Sequence, residues 1–391
     1  MELKKYKLGD LLQVTRGASL SGEYYATQGN YIRLTCGNFD YRNNCFKENQ
    51  SKDNIYYVGD FKEEFLLEKG DIITPLTEQA IGLLGSTARI PESGKYIQSQ
   101  DIAKIDCNES LLDKDFAFYL ISSACVKQQL SAAAQQTKIR HTSPDKIKEC
   151  TVWIPSLDIQ KRIGRILTDI DNKIAINRQI NDNLEEQLRL ITSRYIFDCP
   201  NLEKKRIGEI ATVKAGGDCP ITFSKTRTQK CNIPIFSNGT EDRGLYGFTN
   251  KANIEGHSIT VAARGTIGYC ERRLMPFMPI IRLLAITPKE DGAYIYLHQV
   301  IRGMKFKKNG SVQQQLTVPE ISSIEIPYPH SSVLHEYNKA ASPIVEMIER
   351  NINENEILTK QRDELLPLLM NGQATVNYHL SVLFISKIMV Y

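Results

Sequence analysis

The sequence repeats itself, and this repeat limits the folds that the chain can adopt. Residues 8–11 read LGDL, and residues 207–210 read IGEI, 199 positions later. Further along, GDIIT at residues 70–74 corresponds to GHSIT at residues 256–260, at an offset of 186. Internal similarity of this kind is the usual trace of a repeated structural unit.

The later matches complete the repeat. The dipeptide Ile154-Pro155 corresponds to Ile326-Pro327 at an offset of 172. Seven helical positions then match at an offset of 174: Ile170, Ile174, Asn177, Asn181, Leu184, Gln187 and Ile191 correspond to Ile344, Ile348, Asn351, Asn355, Leu358, Gln361 and Leu365. Four matches in the same chain order are hard to explain by chance. The sequence therefore predicts a pseudo-twofold internal repeat of one unit, a globular part followed by a helix.

A long helix is predicted after each globular part. Residues 159–195 contain no proline and one glycine, Gly164, and their large apolar residues recur at spacings close to three and four. These 37 residues, at about 1.5 Å each, span roughly 55 Å. Such a helix overhangs a domain of this size, so we expect it to pack along the second copy, residues 333–370. That copy ends at the helix-stop sequence Asn371-Gly372, and Pro367 is expected to kink its last turns.

Asn177 and Asn351 are equivalent under the repeat and fall on the apolar seam of the two helices. A polar residue at a coiled-coil core position costs stability but can fix the register of the pair. We therefore predict a register role for both asparagines. The alternative is that both point sideways into solvent.

The globular parts, residues 1–150 and 203–325, are predicted to be mixed α/β domains. Short β-rich runs alternate with Gly, Asn and Asp; the clearest are Tyr31–Thr35, Asp71–Thr74, Ile233–Phe236 and Ser258–Ala262. Helical periodicity occurs at Phe116–Leu130 and Tyr294–Met304, and glutamine-rich loops at residues 134–141 and 310–316.

The net charge of +4 hides an uneven distribution. Residues 1–150 contain 19 Lys+Arg and 20 Asp+Glu, a net charge of −1, whereas residues 203–325 contain 18 and 11, a net charge of +7. The remainder carries −2. The basic residues of the second part cluster at Lys225–Lys230, Arg272-Arg273 and Lys305–Lys308. Such clustering is typical of a polyanion-binding surface, although basic clusters also simply face solvent.

Sequence patterns for catalysis, metal binding and membrane insertion are absent. The chain has no G-x-x-x-x-G-K-[ST], H-E-x-x-H or G-x-S-x-G pattern, no G-x-G-x-x-G after a strand and no methyltransferase Asn/Asp-Pro-Pro-Tyr/Phe motif. Its nine cysteines include no C-x-x-C pair, and the apolar tail Leu380–Tyr391 is shorter than a spanning helix of roughly 20 residues. The first residues have no apolar h-region, so we do not expect them to act as a signal peptide. We expect a non-catalytic cytoplasmic chain with no metal and no cofactor of its own.

Three motifs resemble those of the specificity (S) subunit of type I restriction–modification systems, HsdS. Each copy opens with an x-L-G-[DE]-L/I pattern, at residues 7–11 and 206–210. Residues 154–163 read IPSLDIQKRI and are similar to the Pro-x-L-x-x-Gln-x-x-Ile start of the family's conserved helix. Residues 361–373 read QRDELLPLLMNGQ and are similar to its C-terminal signature. The resemblance covers about residues 5–376.

The resemblance implies tandem target recognition domains, each followed by a spacer helix, with the two helices paired as an antiparallel coiled coil. The implied segments are target recognition domains at 1–155 and 201–328, spacer helices at 156–200 and 329–376, and a tail of unknown role at 377–391. Each domain would read one half of a split site in double-stranded DNA. The helices would set the gap and dock two modification (methyltransferase) subunits that bind S-adenosylmethionine. Restriction (translocase-nuclease) subunits would add cleavage driven by ATP and Mg²⁺. The second helix start, at Pro329, departs from the family because it lacks the glutamine.

Candidate DNA-reading residues carry amide, guanidinium or other cationic groups on loops, because Gln and Asn can pair with adenine and Arg with guanine. In the first domain they are Gln135, Gln136, Lys138, Arg140 and His141, with Arg16 and Gln79 behind them. In the second they are Gln313, Gln314, Gln315, Lys307, Lys308 and Arg264, with Lys225 and Arg227 as phosphate contacts. Each could instead be an ordinary solvated residue, and His141 could equally be a helix-cap or core residue. Trp153 is expected to pack at the domain-to-helix junction.

Two other functions stay open. A stand-alone nuclease or methyltransferase would turn over DNA as the isolated chain with Mg²⁺ or S-adenosylmethionine. A structural coiled-coil scaffold without a DNA role would show none of the steep salt dependence that phosphate contacts produce.

Overall fold

The chain divides into two units whose boundary falls inside both long helices. Unit 1 contains residues 1–176 and 354–391, and unit 2 contains residues 177–353. The structure is a computed structural model that describes residues 2–41, 43–49, 53–78, 82–133, 140–198, 202–306 and 315–374.

Where the structure describes it, unit 1 is built from short strands, three short α-helices and segments of both long helices. Its described strands are β1 (Lys4–Lys7), β2 (Leu12–Arg16), β3 (Tyr25–Ala26), β4 (Tyr31–Arg33), β5 (Phe39–Asp40), β6 (Cys45–Phe46), β7 (Tyr56–Tyr57), β8 (Ile72–Pro75), β9 (Thr77–Glu78), β10 (Ala88–Arg89), β11 (Tyr96–Ile97), β12 (Ile102–Cys107), β13 (Arg140–His141) and β14 (Thr151–Ile154). Its short helices are α1 (Lys114–Ile121), α2 (Ala124–Ala133) and α3 (Pro144–Glu149). The first long helix, α4 (Leu157–Thr192), begins in unit 1 and continues into unit 2.

Unit 2 has the same kinds of element. Its described strands are β15 (Glu203–Arg206), β16 (Ala211–Ala215), β17 (Ile233–Phe236), β18 (Leu245–Thr249), β19 (Ser258–Val261), β20 (Cys270–Arg273), β21 (Met278–Pro279), β22 (Leu284–Pro288) and β23 (Glu325–Tyr328). Its short helices are α5 (Ile207–Ile210), α6 (Ala293–Arg302) and α7 (Val318–Ser323). The second long helix, α8 (Ser331–Met370), begins here and ends in unit 1.

The strand order confirms the predicted repeat. The main sheet of unit 1 has the order β10-β8-β12-β2, and that of unit 2 has the equivalent order β20-β19-β22-β16. A second sheet in each unit contains one parallel pair, β4 with β11 and β17 with β21. A two-stranded antiparallel sheet, β1-β14 or β15-β23, precedes each long helix. Two copies of one mixed α/β fold are therefore present.

One predicted correspondence was wrong by two residues. Strand β1 pairs Lys4 with Ile154, and its repeat equivalent Glu203 pairs with Tyr328. The partner strands β14 and β23 are therefore related by an offset of 174, the same as in the helices, and not by the 172 inferred from the Ile-Pro dipeptides. A short dipeptide can match out of register, whereas cross-strand pairing fixes the register.

The glutamine of the helix-start motif is a buried structural group. The Gln160 Oε1 atom accepts from the Asp113 backbone N–H at 3.0 Å, and Nε2 donates to the carbonyls of Leu111 (3.1 Å) and Pro155 (2.9 Å). These bonds tie the start of α4 to its domain. At the corrected offset its counterpart is Leu334, which is equally buried but apolar, so unit 2 makes this attachment by packing.

The L-G-[DE] motif is also structural. Leu8 and Leu11 are fully buried, and the Asp10 carboxylate accepts from the Lys7 backbone N–H at 3.1 Å. A Cβ atom on Gly9 would lie 3.0 Å from the Lys148 side chain in α3, and one on Gly208 would lie 3.1 Å from Ser322 in α7. The glycine therefore permits close packing in both units, and the motif does not need a DNA role.

Each core joins a globular part to segments of both long helices. In unit 1, Phe116 and Leu120 of α1 belong to the same apolar cluster as Leu167 of α4 and Leu369 of α8. Unit 2 repeats this arrangement with Leu188 of α4 and Tyr337, Ala341 and Val345 of α8 in one cluster. The helix predicted at Phe116–Leu130 is interrupted after Ile121, whereas the one predicted at Tyr294–Met304 is observed as α6.

Within each unit, the segments of α4 and α8 run antiparallel. In unit 2, Asn181 donates to the Ile348 carbonyl at 3.3 Å and Thr192 contacts the Tyr337 hydroxyl at 2.9 Å. Residue numbers therefore increase along α4 in the direction in which they decrease along α8. The helix α8 continues through Pro367 to Met370, where Gly372, in the left-handed conformation (φ +71°), ends it as predicted. None of the described helices combines the length and apolarity needed to cross a membrane.

The asparagines of the seam make polar contacts between the helices. Asn177 is 1% exposed, which disfavours the solvent-facing alternative. Asn351 donates to the Asn181 side chain at 2.8 Å. In unit 1, Asn355 donates to the Ile174 carbonyl at 3.5 Å, the repeat equivalent of the bond from Asn181 to Ile348 in unit 2. These contacts are compatible with a register role, which stays a prediction.

Candidate nucleic-acid interface

In unit 2, the loop between β19 and β20 has a defined shape. Gly265 and Gly268 adopt left-handed conformations, with φ of +68° and +89°. Asn238, which follows β17, accepts from the Ala263 backbone N–H at 2.8 Å and donates to the Ile281 carbonyl at 2.6 Å. This side chain therefore connects three chain segments at one edge of the unit. Sequence reasoning missed Asn238, because its partners are distant in the chain.

The described residues on either side of residues 307–314 lie against this loop. Gly268 faces the Phe306 ring so closely that a Cβ atom would overlap it. At the other end, the Leu316 backbone N–H donates to the Ala263 carbonyl at 3.0 Å. Lys307, Lys308, Gln313 and Gln314 lie outside the described residues, but their flanking residues meet one loop.

Two predicted residues of unit 2 are in direct contact. Arg264 is exposed on the loop, and its Nε and Nη2 atoms donate to the Gln315 Oε1 atom at 3.0 Å and 2.5 Å. The two residues are 51 positions apart in sequence. The fold thus brings a guanidinium and an amide together at one solvent-accessible place.

The predicted phosphate contacts lie on another exposed loop of unit 2. The Lys225 ammonium lies 4.1 Å from the centre of the Tyr246 ring and 5.4 Å from that of Phe223. These two rings are themselves 5.5 Å apart. Stacking on aromatic faces holds the cation in place without neutralising it. Arg227, two residues on, is exposed. The aromatic pair was missed in the sequence, where only Phe223, beside Lys225, gave a local signal.

Unit 1 has an equivalent edge. Strand β13 pairs Arg140 with Glu78 and His141 with Thr77, and the Thr142 N–H donates to the Leu76 carbonyl at 2.9 Å. Thr142 corresponds to Leu316 at the offset of 174, and both bond just after equivalent strands, Thr142 to Leu76 after β8 and Leu316 to Ala263 after β19. Gln79, Gln135, Gln136 and Lys138 lie outside the described residues.

Arg140 is engaged within unit 1. Its guanidinium donates to the Ser131 hydroxyl at 3.3 Å and to the Ser131 carbonyl, and it pairs with Glu78 at 3.3 Å. Glu78 in turn accepts from the backbone N–H groups of Leu83 and Leu84 at 2.7 Å and 2.9 Å. These contacts favour a role for Arg140 in holding the loop rather than in reading a base.

The other described candidates of unit 1 face solvent. His141 is exposed, which disfavours the core alternative. Arg16 is also exposed; its Nε atom donates to the Gln100 carbonyl at 2.8 Å, and its two terminal nitrogens bond to none of the described residues. Arg16 is therefore the described guanidinium of this edge that remains available to a ligand.

Two expectations about individual residues were wrong. Arg272 and Arg273 are 4% and 5% exposed and cannot form part of a solvent-facing basic patch. Arg272 pairs with Glu185 of α4, and the Arg273 guanidinium lies 3.6 Å from the centre of the Phe236 ring. Trp153, expected to pack, is 52% exposed, with the Lys5 ammonium 6.0 Å from its ring. Sequence alone does not show which face of an edge strand is covered.

Burial and two cations keep His298 neutral. Its Nδ1 atom lies 3.0 Å from Arg272 Nη1, which can only donate. Burial, with the charges of Arg272 and Arg302, lowers the pKa of His298 well below 6.5. The unfolded chain therefore takes up a proton at this residue first, and the free energy of unfolding should fall as the pH drops through about 6.5.

We expect His298→Asn to reduce this acid sensitivity. Denaturant unfolding at pH 7.5 and pH 5.5 should show a larger loss of stability in the wild type than in the variant, by up to about 1.4 kcal/mol per pH unit. His335→Asn, at an exposed histidine of α8, is the matched control and should keep the wild-type pH dependence. Equal pH dependence in all three proteins would contradict the assignment.

The two edges and the fold define a class of protein. One edge carries Arg264, Gln315 and the Lys225 loop, and the equivalent edge carries Arg16 and His141, on two copies of one scaffold. Cationic and amide side chains on exposed loops are the groups that contact phosphates and base edges. Among the described residues, no group of three His, Cys, Asp or Glu side chains could hold a metal ion. The class is a DNA-recognition protein with two reading modules.

Comparisons with known proteins name the family. The profile of the type I restriction modification DNA specificity domain matches residues 1–186 and 201–366, so the chain belongs to this family. A chain described as a type I specificity subunit in Mycoplasma pneumoniae is 27% identical over 300 residues, 71% of this chain and 88% of the relative. The HindI specificity subunit of Haemophilus influenzae is 21% identical over 464 residues, 95% and 99% of the two chains. The crystal structure of the type I S subunit from M. genitalium has the same fold, with a TM-score of 0.61, 16% identity and coverage of 95% and 96%.

Proposed function

We propose that this chain is the non-catalytic specificity subunit of a type I restriction–modification enzyme and reads a bipartite DNA site. The observation that carries the proposal is the duplicated fold, in which both glutamine-rich segments end beside the residues that follow two equivalent inner strands, β8 and β19. Two copies of one reader on a single chain suit two half-sites. Because the side chains at the two edges differ, the half-sites can differ in sequence.

The proposed domain assignment separates the two globular parts from the two long helices. Residues 1–155 and 201–328 are the proposed target recognition domains, and residues 156–200 and 329–376 are the proposed spacer helices. Support comes from α4 and α8, each of which contributes to the cores of both units. A helix shared in this way can set the distance between two half-sites, much as half-site spacing is set in dimeric DNA-binding proteins.

Exposed apolar side chains on the long helices are proposed to dock two modification (methyltransferase) subunits. They are Ile176, Ile357 and Leu368 in unit 1 and Ile180, Leu190 and Met347 in unit 2. Apolar side chains on solvent-facing helix positions mark surfaces that partners cover. S-adenosylmethionine would belong to these subunits, and ATP and Mg²⁺ to the restriction subunits, in a complex that acts on cytoplasmic DNA.

A domain exchange tests the proposal. Residues 1–155 are replaced by the corresponding domain of a relative with a different site, and the assembled enzyme is allowed to methylate DNA of random sequence. Sequencing the modified sites should show one new half-site and one unchanged half-site. Exchange of residues 201–328 is the reciprocal control and should alter the other half. An unchanged site in both chimaeras would overturn the proposal.

A further inference from the structure

The contact between Arg264 and Gln315 has only one possible chemical orientation. A guanidinium carries only donors, so the amide atom that faces it must be the carbonyl oxygen. The Arg264 Nε and Nη2 atoms both donate to the Gln315 Oε1 atom, at 3.0 Å and 2.5 Å. The acceptor of this glutamine is therefore occupied inside the protein.

The remaining polar atoms of the pair are all donors. Arg264 Nη1 and Gln315 Nε2 bond to none of the described residues, and Arg264 is exposed. The backbone beneath them is fixed, because Asn238 accepts from the Ala263 N–H and Leu316 donates to the Ala263 carbonyl. The side chains of the pair thus present several free N–H groups and no free acceptor, on a loop whose backbone is fixed by hydrogen bonds.

We infer that this Arg264–Gln315 pair selects guanine in the half-site read by unit 2, an inference that rests on the proposed function. In the major groove, guanine offers two acceptors, O6 and N7, whereas adenine offers one acceptor and one donor, N6. A glutamine reads adenine only when its oxygen is free to accept from N6. Because Arg264 occupies that oxygen, the pair complements guanine and leaves the adenine amino group without a partner.

Unit 1 does not repeat this arrangement. The residue at the offset of 174 from Gln315 is His141, which pairs across the ladder with Thr77. The nearby Arg140 guanidinium is bound by Ser131 and Glu78. The guanine preference inferred from this pair is therefore assigned to the unit 2 half-site.

Substitution of Arg264 and substitution of Gln315 should have different effects on the base preference. In Arg264→Ala the Gln315 oxygen becomes free, so the preference at one position should move from guanine toward adenine. In Gln315→Ala the Arg264 guanidinium becomes free to pair with O6 and N7, so guanine should stay preferred. Lys225→Ala is the control for a phosphate contact and should weaken binding about equally for all sequences.

The experiment uses the chain assembled with its modification subunits, after the methylated site has been mapped. Affinity is measured for duplexes carrying each base pair at each position of the unit 2 half-site. The wild type should prefer guanine at one position by roughly 5-fold to 150-fold, which corresponds to about 1–3 kcal/mol. Substitution of that guanine by 7-deazaguanine, which lacks the N7 acceptor, should reduce the preference in the wild type.

The possible results distinguish failure of the guanine assignment from failure of the proposed function. Sequence preference in the complex, with no guanine position that responds to Arg264→Ala, would overturn the guanine assignment alone. A uniform loss of affinity in Arg264→Ala, like that expected of Lys225→Ala, would make Arg264 a phosphate contact and overturn it as well. Absence of any bipartite sequence preference in the complex would instead overturn the proposed function.

Discussion

Insertion of seven residues into both long helices at the boundary between the units is expected to abolish modification of the natural site and to create a site with a longer gap. The insertions fall between Ile176 and Asn177 in α4 and between Asn353 and Glu354 in α8. Seven helical residues add about 10 Å and keep the apolar stripe nearly in phase. With about 3.4 Å per base-pair step, the new gap should be about three base pairs longer.

The design leaves the contacts inside each unit intact. Arg362 of α8 pairs with Asp171 of α4 at 2.9 Å in unit 1, and Thr192 contacts Tyr337 in unit 2, so neither contact spans an insertion point. The same seven residues inserted into the exposed turn after Glu92 are the control and should leave the gap unchanged. Sequencing of methylated sites gives the result directly. If the helix variant keeps both its half-sites and the original gap, the helices are not the spacer.

Glu185→Ala is expected to destabilise the folded chain by about 3–5 kcal/mol. The Glu185 carboxylate, on α4, pairs with Arg272 and with Arg302, the latter at 2.6 Å. The Arg272 side chain is 4% exposed, and its other described side-chain partner is the neutral His298. Removal of the carboxylate would leave a buried cation without a counter-ion. Denaturant unfolding of the full chain measures the loss.

The neighbouring residue provides a matched control. Glu186 pairs with Arg189 three positions on, and both side chains are more than half exposed. Exposed pairs of this kind contribute little because water and salt screen them. Glu186→Ala should therefore unfold almost like the wild type. Similar stabilities of the Glu185 and Glu186 variants would show that the buried arginine does not depend on this carboxylate.

The repeat and the periodic helices could be predicted from sequence because they depend on local pattern. Offsets between equivalent residues anticipated the equivalent strand orders, and the apolar spacing of residues 159–195 anticipated α4. The break between α1 and α2 was missed because Phe116–Leu130 keeps its helical apolar pattern across Ser122-Ser123.

The candidate site was harder to predict because its chemistry depends on pairs that the fold assembles. Arg272 and Arg264 both look like solvent-facing cations in the sequence, but a strand buries the first against Glu185 and a loop exposes the second beside Gln315. A charged residue alone does not indicate its partner. For the same reason, the expectation that a glutamine pairs with adenine could be revised for Gln315 only once its contact with Arg264 was known.

The division of the chain between the units has a consequence for its synthesis on the ribosome. Unit 2 is one continuous stretch, residues 177–353, and can complete its core as soon as that stretch has emerged. Unit 1 needs the last segment of α8, because Leu369 and Met370 pack into the same cluster as Phe116 and Leu167. The first reader to be translated is therefore the last to be completed. A nascent chain that stops before residue 354 would carry a finished second reader and a first reader with an uncovered apolar surface.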